Sequence, residues 1–300
     1  MKKILCLGHA SYDITIPMEK YPKENIKYRV LSRIECGGGP ASNAAYLLGK
    51  WQMNPYFAGV VGNDTEGRKI KEEFKEVKVN ISYLQLSNKY KTTNSFIIVN
   101  KSNASRTVFA HRDKNIKLEK IKIAIKPDYA LFDGEEMEVA IDIIKKNKNC
   151  ITVLDAGRAK YKTIKLGKMV DYLVASQNFA EDFTGIKIDV NDPSSIINTF
   201  KALEIDFKNN IVITLGEHGC LYKVNNQIKR MPGYKVKSID TTGAGDIFHG
   251  AFVYALAKGY AYEDIIRIAN ITGSLSTRKI GGRYSIPELS EVLNIYEKSK

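Results

Sequence analysis

The chain has no long apolar run. None of its 300 residues lie in a stretch that approaches the roughly 18 consecutive apolar residues of a membrane-spanning helix, so we expect no membrane partner. The apolar stretch near the N-terminus, Ile4 to Leu7, is short and is soon followed by Asp13. It suits a first buried strand better than a secretory signal peptide. The sequence therefore predicts a cytoplasmic protein.

Cysteine and histidine are scarce, with four residues of each. The cysteines form neither a Cys-x-x-Cys pair nor a spacing typical of metal ligands. We therefore expect reduced thiols in or near the core rather than a disulfide or a zinc site. The histidines are equally dispersed, and the sequence assigns none of them to a site. The residues are Cys6, Cys36, Cys150, Cys220, His9, His111, His218 and His249.

Acidic residues are outnumbered by basic ones, 33 to 46, which gives a formal net charge of +13. Such a balance raises the question of nucleic-acid binding. The lysines are spread over the whole chain, however, and no zinc finger, RNA-recognition signature or basic arm is present. We interpret the charge as a solvated lysine-rich surface with a mild attraction for anionic substrates, and expect no nucleic-acid partner.

Two nucleotide-binding fingerprints are also missing. Neither Gly37 nor Gly243 begins a complete G-x-G-x-x-G motif, and Gly62 to Gly67 is followed by Arg-Lys rather than Lys-Ser or Lys-Thr. The sequence therefore predicts neither a Rossmann-type dehydrogenase nor a Walker-type nucleotidase.

Short runs rich in Ile, Val and Leu alternate with helical patterns through the sequence. Continuous apolar strands separated by helices predict a mostly parallel sheet with helices on both faces, which is an α/β fold. We expect residues 1–300 to form a single domain. The predicted strands are Ile4–Leu7, Tyr56–Val61, Tyr129–Phe132, Ile151–Leu154, Tyr172–Ala175 and Ile211–Thr214. The helices predicted between and after them are Ser42–Trp51, Glu66–Glu76, Glu136–Lys146, Phe179–Thr184, Ser194–Leu203 and Asp246–Lys258.

Two inserts break this rhythm, at about residues 14–35 and 92–112. Both alternate apolar and polar residues, as Asn94 to Val99 and Arg106 to Phe109 do. Alternation of this kind is typical of exposed antiparallel strands. The inserts therefore predict a small β lid beside the main sheet.

The segment from Asp240 to Asp246 reads Asp-Thr-Thr-Gly-Ala-Gly-Asp and opens directly into a predicted helix. Unpaired backbone N–H groups and the helix dipole favour an anion at such a helix start. Asp246 would be repelled by that anion, so it suits proton abstraction from a hydroxyl beside a phosphate. The alternative for this segment alone is a helix-capping Asp after a glycine turn.

A second glycine-rich segment, Gly38 to Ala45, reads Gly-Gly-Pro-Ala-Ser-Asn-Ala-Ala. Its glycines let the backbone approach a ligand closely. Asn43 offers both a donor and an acceptor, which suits a pair of sugar hydroxyls. Taken alone, the segment would be better interpreted as a strand-to-helix turn.

Together, these segments resemble the two signatures of the ribokinase-like (PfkB) carbohydrate kinases, D-T-x-G-A-G-D and G-G-x-x-x-N-x-A. The resemblance implies a ribokinase-like fold and transfer of the γ-phosphoryl group of ATP to a sugar hydroxyl. It makes Asp246 the catalytic base, with an anion hole formed by Gly243, Ala244 and Gly245. The substrate-binding residues that it implies are Asp13, Gly38, Gly39 and Asn43.

Shorter segments resemble the family in the same order along the chain. They imply cofactor binding by Asn178, Thr214, Gly216, Gly219 and Asn270. Glu181, in an N-x-x-E segment, is implied in Mg²⁺ binding through ordered water. The loop after Thr277 resembles one that holds an activating K⁺ ion. The cation ligands implied there are Asp240, Thr242 and Ser285.

The acceptor is left open by these residues. A neutral sugar is favoured, a nucleoside is the alternative because the family includes nucleoside kinases, and an anionic sugar comes third. Basic residues near the lid that could meet an anion, or simply be solvated, are Lys27, Arg29, Arg33, Arg106 and Arg112. A kinase-like fold used only as a ligand-sensing binding module is the non-enzyme alternative. The resemblance also implies a homodimer formed through the lid.

Overall fold

The computed structural model describes residues 2–119 and 121–300. Its strands, in chain order, are β1 Ile4–Leu7, β2 Ser11–Met18, β3 Ile34–Gly38, β4 Tyr56–Gly62, β5 Asn80–Ser87, β6 Thr93–Asn100, β7 Ser105–His111, β8 Tyr129–Phe132, β9 Ile151–Ala156, β10 Tyr172–Ser176, β11 Asn210–Thr214, β12 Cys220–Val224 and β13 Gln227–Met231. The α-helices are α1 Pro40–Lys50, α2 Thr65–Glu76, α3 Met137–Lys146, α4 Tyr161–Gly167, α5 Gln177–Thr184, α6 Pro193–Asp206, α7 Ala244–Lys258, α8 Tyr262–Ser276 and α9 Leu289–Lys298.

The main sheet has nine strands in the order β13-β12-β11-β10-β9-β8-β1-β4-β5. The strands from β11 to β5 are parallel, whereas β12 and β13 add an antiparallel hairpin at one edge. Strand β1 sends Ile4 and Cys6 into one apolar core and Leu5 and Leu7 into the other. Helices therefore cover both faces, and the predicted α/β fold is confirmed.

A separate small sheet has the order β3-β2-β6-β7. Its strands come from the two alternating segments near residues 14–35 and 92–112. Strand β2 pairs antiparallel with β3 and parallel with β6, and β6 pairs antiparallel with β7. Because side chains alternate between the faces of a strand, Asp13, Cys36 and Ser95 share one face of this sheet, while Phe96 and Phe109 share the other.

The six predicted strands of the main sheet are observed with ends shifted by at most two residues, but three others were missed. Strand β5 forms an edge of the sheet, and its burial is uneven. The β12–β13 hairpin turns through Asn225 and Asn226, both with positive φ. Two residues with positive φ are the mark of a tight hairpin turn, so the Asn-Asn pair was the available signal.

Helix α7 is buried from Ile247 to Leu256, which agrees with its apolar sequence. It packs beside α8 and α1, and Gly250 approaches Ala44 closely enough that an added Cβ would lie 3.1 Å from the Ala44 Cα. The four cysteines are buried free thiols, as expected. Among the described residues, no helix is long and apolar enough to cross a membrane.

Arg283 joins the loop before α9 to three other elements. Its side chain is buried, and Nη1 lies 2.6 Å from the Glu73 carboxylate while Nη2 donates to the Ser42 hydroxyl at 2.6 Å. Glu73 also accepts the backbone N–H of Gly37. An added Cβ on Gly37 would lie 2.4 Å from the guanidinium. This ion pair, in which Arg283 is buried and Glu73 half-buried, therefore fixes the loop, α1, α2 and the end of β3 against one another.

We predict that Glu73→Gln lowers the free energy of unfolding by about 3 kcal/mol, because it leaves the buried Arg283 charge without its counter-ion. The matched control is Glu72→Gln, whose exposed carboxylate pairs with Lys75 on the same helix. That change is expected to cost less than about 1 kcal/mol. Urea unfolding of the two variants measures both values, and equal midpoints would contradict the role assigned to the buried pair.

Candidate active site

The loops that carry the glycine-rich segments lie at the carboxyl ends of the parallel strands. Strand β1 lies between β8 and β4, where the direction of strand succession reverses. Ligands bind to open α/β sheets at such a reversal. These loops converge near Gly243. A Cβ added there would lie 3.3 Å from Gly282, 3.5 Å from the Asn43 amide nitrogen and 3.8 Å from the Asp246 carboxylate.

Asp246 lies in the first turn of α7 and is partly exposed. Its Oδ2 accepts a hydrogen bond from Nδ2 of Asn43 at 2.8 Å. Burial of the carboxylate, followed by repulsion from Asp155, raises the pKa of Asp246 to about 7. A carboxylate with this pKa can hold or release a proton near neutral pH.

The turn before α7 leaves room for a ligand. Gly243 has φ 74° and caps the helix, in a left-handed conformation that favours glycine. Gly245 is exposed, and an added Cβ would meet no atom within 4 Å. The first N–H groups of a helix lack partners within it. Open space in front of such donors suits an anion, as expected for Gly243, Ala244 and Gly245.

Asp13 lies on the buried face of the small sheet, and its Oδ1 accepts the Ser11 hydroxyl at 2.8 Å. Burial raises the pKa of Asp13. Its carboxylate occupies the space beside Gly38, where an added Cβ would lie 2.0 Å from Oδ2. Only glycine is therefore compatible with Asp13 at that position. The charge of Asp13 also raises the pKa of Asp246.

Helix α1 brings Asn43 to the same place. It begins after Gly39, whose φ is 95° and where an added Cβ would lie 2.6 Å from the His9 carbonyl oxygen. While Nδ2 of Asn43 bonds to Asp246, its buried Oδ1 has no hydrogen-bond partner among the residues that the structure describes. An unpaired acceptor beside a candidate base suits a ligand hydroxyl. The structure thus brings together Asp13, Gly38, Gly39, Asn43 and Asp246.

Sequence reasoning missed Asp133, which follows β8. It accepts backbone N–H groups from His9 at 2.7 Å, Glu135 at 3.1 Å and Ala41 at 3.3 Å. An added Cβ on Gly8 would lie 2.1 Å from its carboxylate. Burial raises the pKa of Asp133 to about 6. Asp133 therefore holds the end of β1 and the start of α1, and its position directly after a buried strand was the available signal.

Two further buried residues were missed, Asp155 and His249. Asp155 is the last residue but one of β9. Its Oδ2 lies 3.2 Å from Nδ1 of His249, one turn after Asp246 on α7. No local pattern connects them, because they come from distant parts of the sequence.

The residues expected to bind nucleotide form a second group. Gly219 and Asn270 meet the same segment: an added Cβ on Gly219 would lie 1.9 Å from the Met231 carbonyl oxygen, and Asn270 donates to the Pro232 carbonyl at 2.6 Å. Gly216 has φ 58° with open space around it. Thr214 ends β11, and exposed Asn178 lies in the first turn of α5 after β10. The five residues therefore lie at or just after strand ends, or beside the segment of Met231 and Pro232.

The expected cation loop is closely connected to the anion hole. The buried carboxylate of Asp240 accepts N–H groups from Thr242 at 2.8 Å and Gly281 at 2.9 Å. Ser285 donates its hydroxyl to the Gly282 carbonyl at 2.8 Å. Oγ1 of Thr242 is buried, and within residues 2–119 and 121–300 it has no hydrogen-bond partner. Oxygen donors of this kind suit a monovalent cation.

Glu181 is arranged differently. Its Oε2 lies 2.6 Å from the Lys187 ammonium, and its Oε1 accepts from Gln177 at 2.8 Å and from the backbone N–H of Ile188 at 3.1 Å. These contacts lower the pKa of Glu181, the Lys187 bond most of all. Direct ligation of Mg²⁺ by this carboxylate would have to displace Lys187.

The basic residues around the small sheet have partners of several kinds. Arg33 lies 2.7 Å from Glu35 and Arg112 lies 3.1 Å from Glu135, whereas Nη1 of Arg106 donates to the Thr241 hydroxyl at 2.9 Å. Lys27 and Arg29 are exposed between β2 and β3. Arg106 thus connects the small sheet to the loop that precedes α7.

Comparison with known sequences agrees with this geometry. The model of the pfkB family of carbohydrate kinases matches residues 1–289. A ribokinase from Staphylococcus aureus is 31% identical over 97% of this chain and 98% of its own length. A nucleoside kinase from Methanocaldococcus jannaschii is 25% identical over 100% of this chain and 98% of its own.

Solved structures share the fold. The ribokinase of Giardia lamblia superposes with a TM-score of 0.83 at 21% identity, covering 99% of this chain and 100% of the other. The ribokinase of Arabidopsis thaliana, solved with ribose and ATP, gives a TM-score of 0.79 at 21% identity, covering 99% of this chain and 98% of the other. With the family model spanning nearly the whole chain, this protein belongs to the pfkB family and is a carbohydrate kinase.

Proposed function

We propose that this kinase transfers the γ-phosphoryl group of ATP to a sugar hydroxyl, with Asp246 as the general base. The observation that carries the proposal is the position of Asp246. Its carboxylate lies in the first turn of α7, bonded to Asn43 and beside the open space at Gly245. A base at this place lies between an acceptor hydroxyl and a bound phosphate, and its pKa of about 7 suits proton transfer.

The acceptor would bind between Asp13, Asn43 and the backbone of Gly38 and Gly39. Asp13 and the free Oδ1 of Asn43 are acceptors for its hydroxyl groups. ATP would lie along the carboxyl ends of the strands, near Thr214, Gly216, Gly219, Asn178 and Asn270. The small sheet would act as a lid, because Arg106 reaches Thr241 beside the phosphate site. Closure excludes water, which competes as an acceptor.

A neutral sugar is the favoured acceptor class. Arg33 and Arg112 are paired with carboxylates, so neither offers a free charge to an anionic sugar. The similarity to ribokinases points in the same direction. A nucleoside is the second candidate, since one relative over the whole chain is a nucleoside kinase.

The cations are part of the proposal. ATP would bring Mg²⁺ on its phosphates, and Mg²⁺ keeps several waters in kinase sites. Direct ligation by Glu181 does not fit, because Lys187, Gln177 and Ile188 occupy its oxygens. A K⁺ ion does fit the oxygen atoms of Asp240, Thr242 and Ser285. It would supply positive charge beside the anion hole.

The outer face of the small sheet fits a second copy of this chain. Phe96 and Phe109 are paired across β6 and β7 and are 46% and 56% exposed, while Ile14 lies beside Phe96 on β2. An apolar patch at a sheet edge favours self-association. We therefore place a homodimer interface there, in a cytoplasmic enzyme without a nucleic-acid partner.

Replacing the base gives the first test of function. We predict that Asp246→Asn lowers kcat by about 10²–10⁴-fold, because the hydroxyl proton loses its acceptor, while ATP still binds. ADP release is measured with ATP and Mg²⁺ against pentoses, hexoses, phosphosugars and nucleosides, with and without K⁺. Asp264→Asn, in the first turn of α8, is the matched control and should turn over normally. Near-normal turnover of Asp246→Asn would exclude the assigned base, and ATP binding without turnover of any acceptor would favour a binding module.

The ionisation of Asp246 predicts a pH dependence. Burial raises the pKa of this carboxylate to about 7, and only the ionised form accepts a proton. The ratio kcat/KM for the acceptor should therefore fall by up to about tenfold per pH unit below pH ~7 and level off above it, because this ratio reports ionisation of the enzyme before the acceptor binds. The measurement is kcat/KM against pH, with ATP and Mg²⁺ held constant. A flat profile down to pH ~5 would contradict this assignment.

The dimer is tested by charge placed on the apolar face. We predict that Phe109→Glu converts a wild-type dimer to a monomer, since a buried unpaired carboxylate opposes association. Ile205→Glu, at a residue of α6 that is 74% exposed, should remain dimeric. Sedimentation velocity measures both, and a monomeric wild-type chain would disprove this interface.

A further inference from the structure

His249 has oxygen acceptors at both ring nitrogens, although its side chain is buried in α7. Its Nδ1 lies 2.6 Å from the Gly245 carbonyl oxygen and 3.2 Å from Oδ2 of Asp155, and its Nε2 lies 3.1 Å from the Val174 carbonyl oxygen. A neutral imidazole has one N–H and cannot donate from both nitrogens. The carbonyl oxygens of Val174 and Gly245 can only accept hydrogen bonds. Both ring nitrogens can donate to them only if the ring takes up the proton of Asp155.

Because both side chains are buried, Asp155 and His249 can be charged only as a pair. Burial raises the pKa of Asp155 to about 8 and lowers the pKa of His249. They are therefore either both neutral or an imidazolium–carboxylate pair. The two forms contain the same number of protons, so the pair is electrically neutral in both. In the ionic form, Nδ1 donates to the Gly245 carbonyl and to Asp155 together.

The Gly245 carbonyl belongs to the peptide that ends in the N–H of Asp246. A peptide unit is planar, so a contact that holds its carbonyl also fixes the direction of its N–H. That N–H is one of the first donors of α7, at the edge of the anion hole. His249 therefore acts on the phosphate site through the backbone, from the side that faces away from the ligand.

We propose that His249 and Asp155 are a pair of positioning residues that hold the Gly245–Asp246 peptide at the anion hole. The inference rests on the proposed role of Asp246 as base. It adds a specific task for two buried residues that touch neither acceptor nor nucleotide in the proposed arrangement.

The test separates kcat from KM for Asp155→Asn and His249→Gln. Both variants should lower kcat by about tenfold, less than the 10²–10³-fold for a lost anion-hole donor, with KM for ATP and acceptor within about twofold. The double variant should resemble the singles, since coupled residues are not additive. Asp142→Asn, exposed and paired with Lys146 on α3, should leave both constants unchanged.

Outcomes separate this inference from the proposed function. If Asp246→Asn is inactive but both variants of the pair keep the kcat of the wild type, the pair does not position the peptide and the inference is wrong. If Asp246→Asn is active, the base itself is misassigned. Should neither variant of the pair fold, ring-nitrogen NMR of the wild-type chain decides. Nδ1 of His249 should carry a proton, because it lies 2.6 Å from the Gly245 carbonyl oxygen, and an Nδ1 without a proton would overturn the inference.

Discussion

The rest of the structure depends on one constraint. Several carboxylates are removed from water at the edge of the main sheet formed by the carboxyl ends of its parallel strands. Asp13, Asp133, Asp155, Asp240 and Asp246 all lie there, and an uncompensated buried charge is costly. Each carboxylate is compensated by a different part of the fold. Backbone N–H groups serve Asp133 and Asp240, and a hydroxyl, an imidazole and an amide serve Asp13, Asp155 and Asp246. The loops at this edge are therefore held in one arrangement by the charges that they carry.

Some glycines of the site are required for a reason other than the close approach of a ligand, and this constraint explains them. At Gly8 and Gly38 an added Cβ would overlap the carboxylates of Asp133 and Asp13, so the backbone must approach those groups without a side chain. Gly37 meets the guanidinium of Arg283 in the same way. Gly8, Gly37 and Gly38 thus accommodate protein charges. A Cβ added to Gly245, in contrast, would meet no described atom within 4 Å outside its own stretch of helix, so the space there is not filled by the described part of the protein.

The fold was predictable because its signal is local. Continuous apolar strands such as Ile4–Leu7 and the helix that follows Asp246 are read from a few adjacent residues. The contiguous signatures likewise placed Asn43 and Asp246, which the structure brings into contact. Asp155 and His249 could not be found in that way, because each is unremarkable in its own segment and acquires meaning only when β9 and α7 pack together. Burial and pairing across the fold decide such residues, and no short pattern encodes them.

Among these carboxylates, Asp246 is the best placed to accept a proton from a ligand. Both oxygens of Asp240 accept backbone N–H groups, and those of Asp133 accept three more, so neither carboxylate is free to take the proton of an acceptor hydroxyl. Asp155 is buried behind α7 and faces His249. Asp246 is partly exposed, has one described hydrogen bond and lies at a helix start, where an anion is stabilised. Burial, followed by repulsion from Asp155, raises its pKa to about 7. The packing that holds these loops together therefore also brings the base close to the pH at which a general base is most effective.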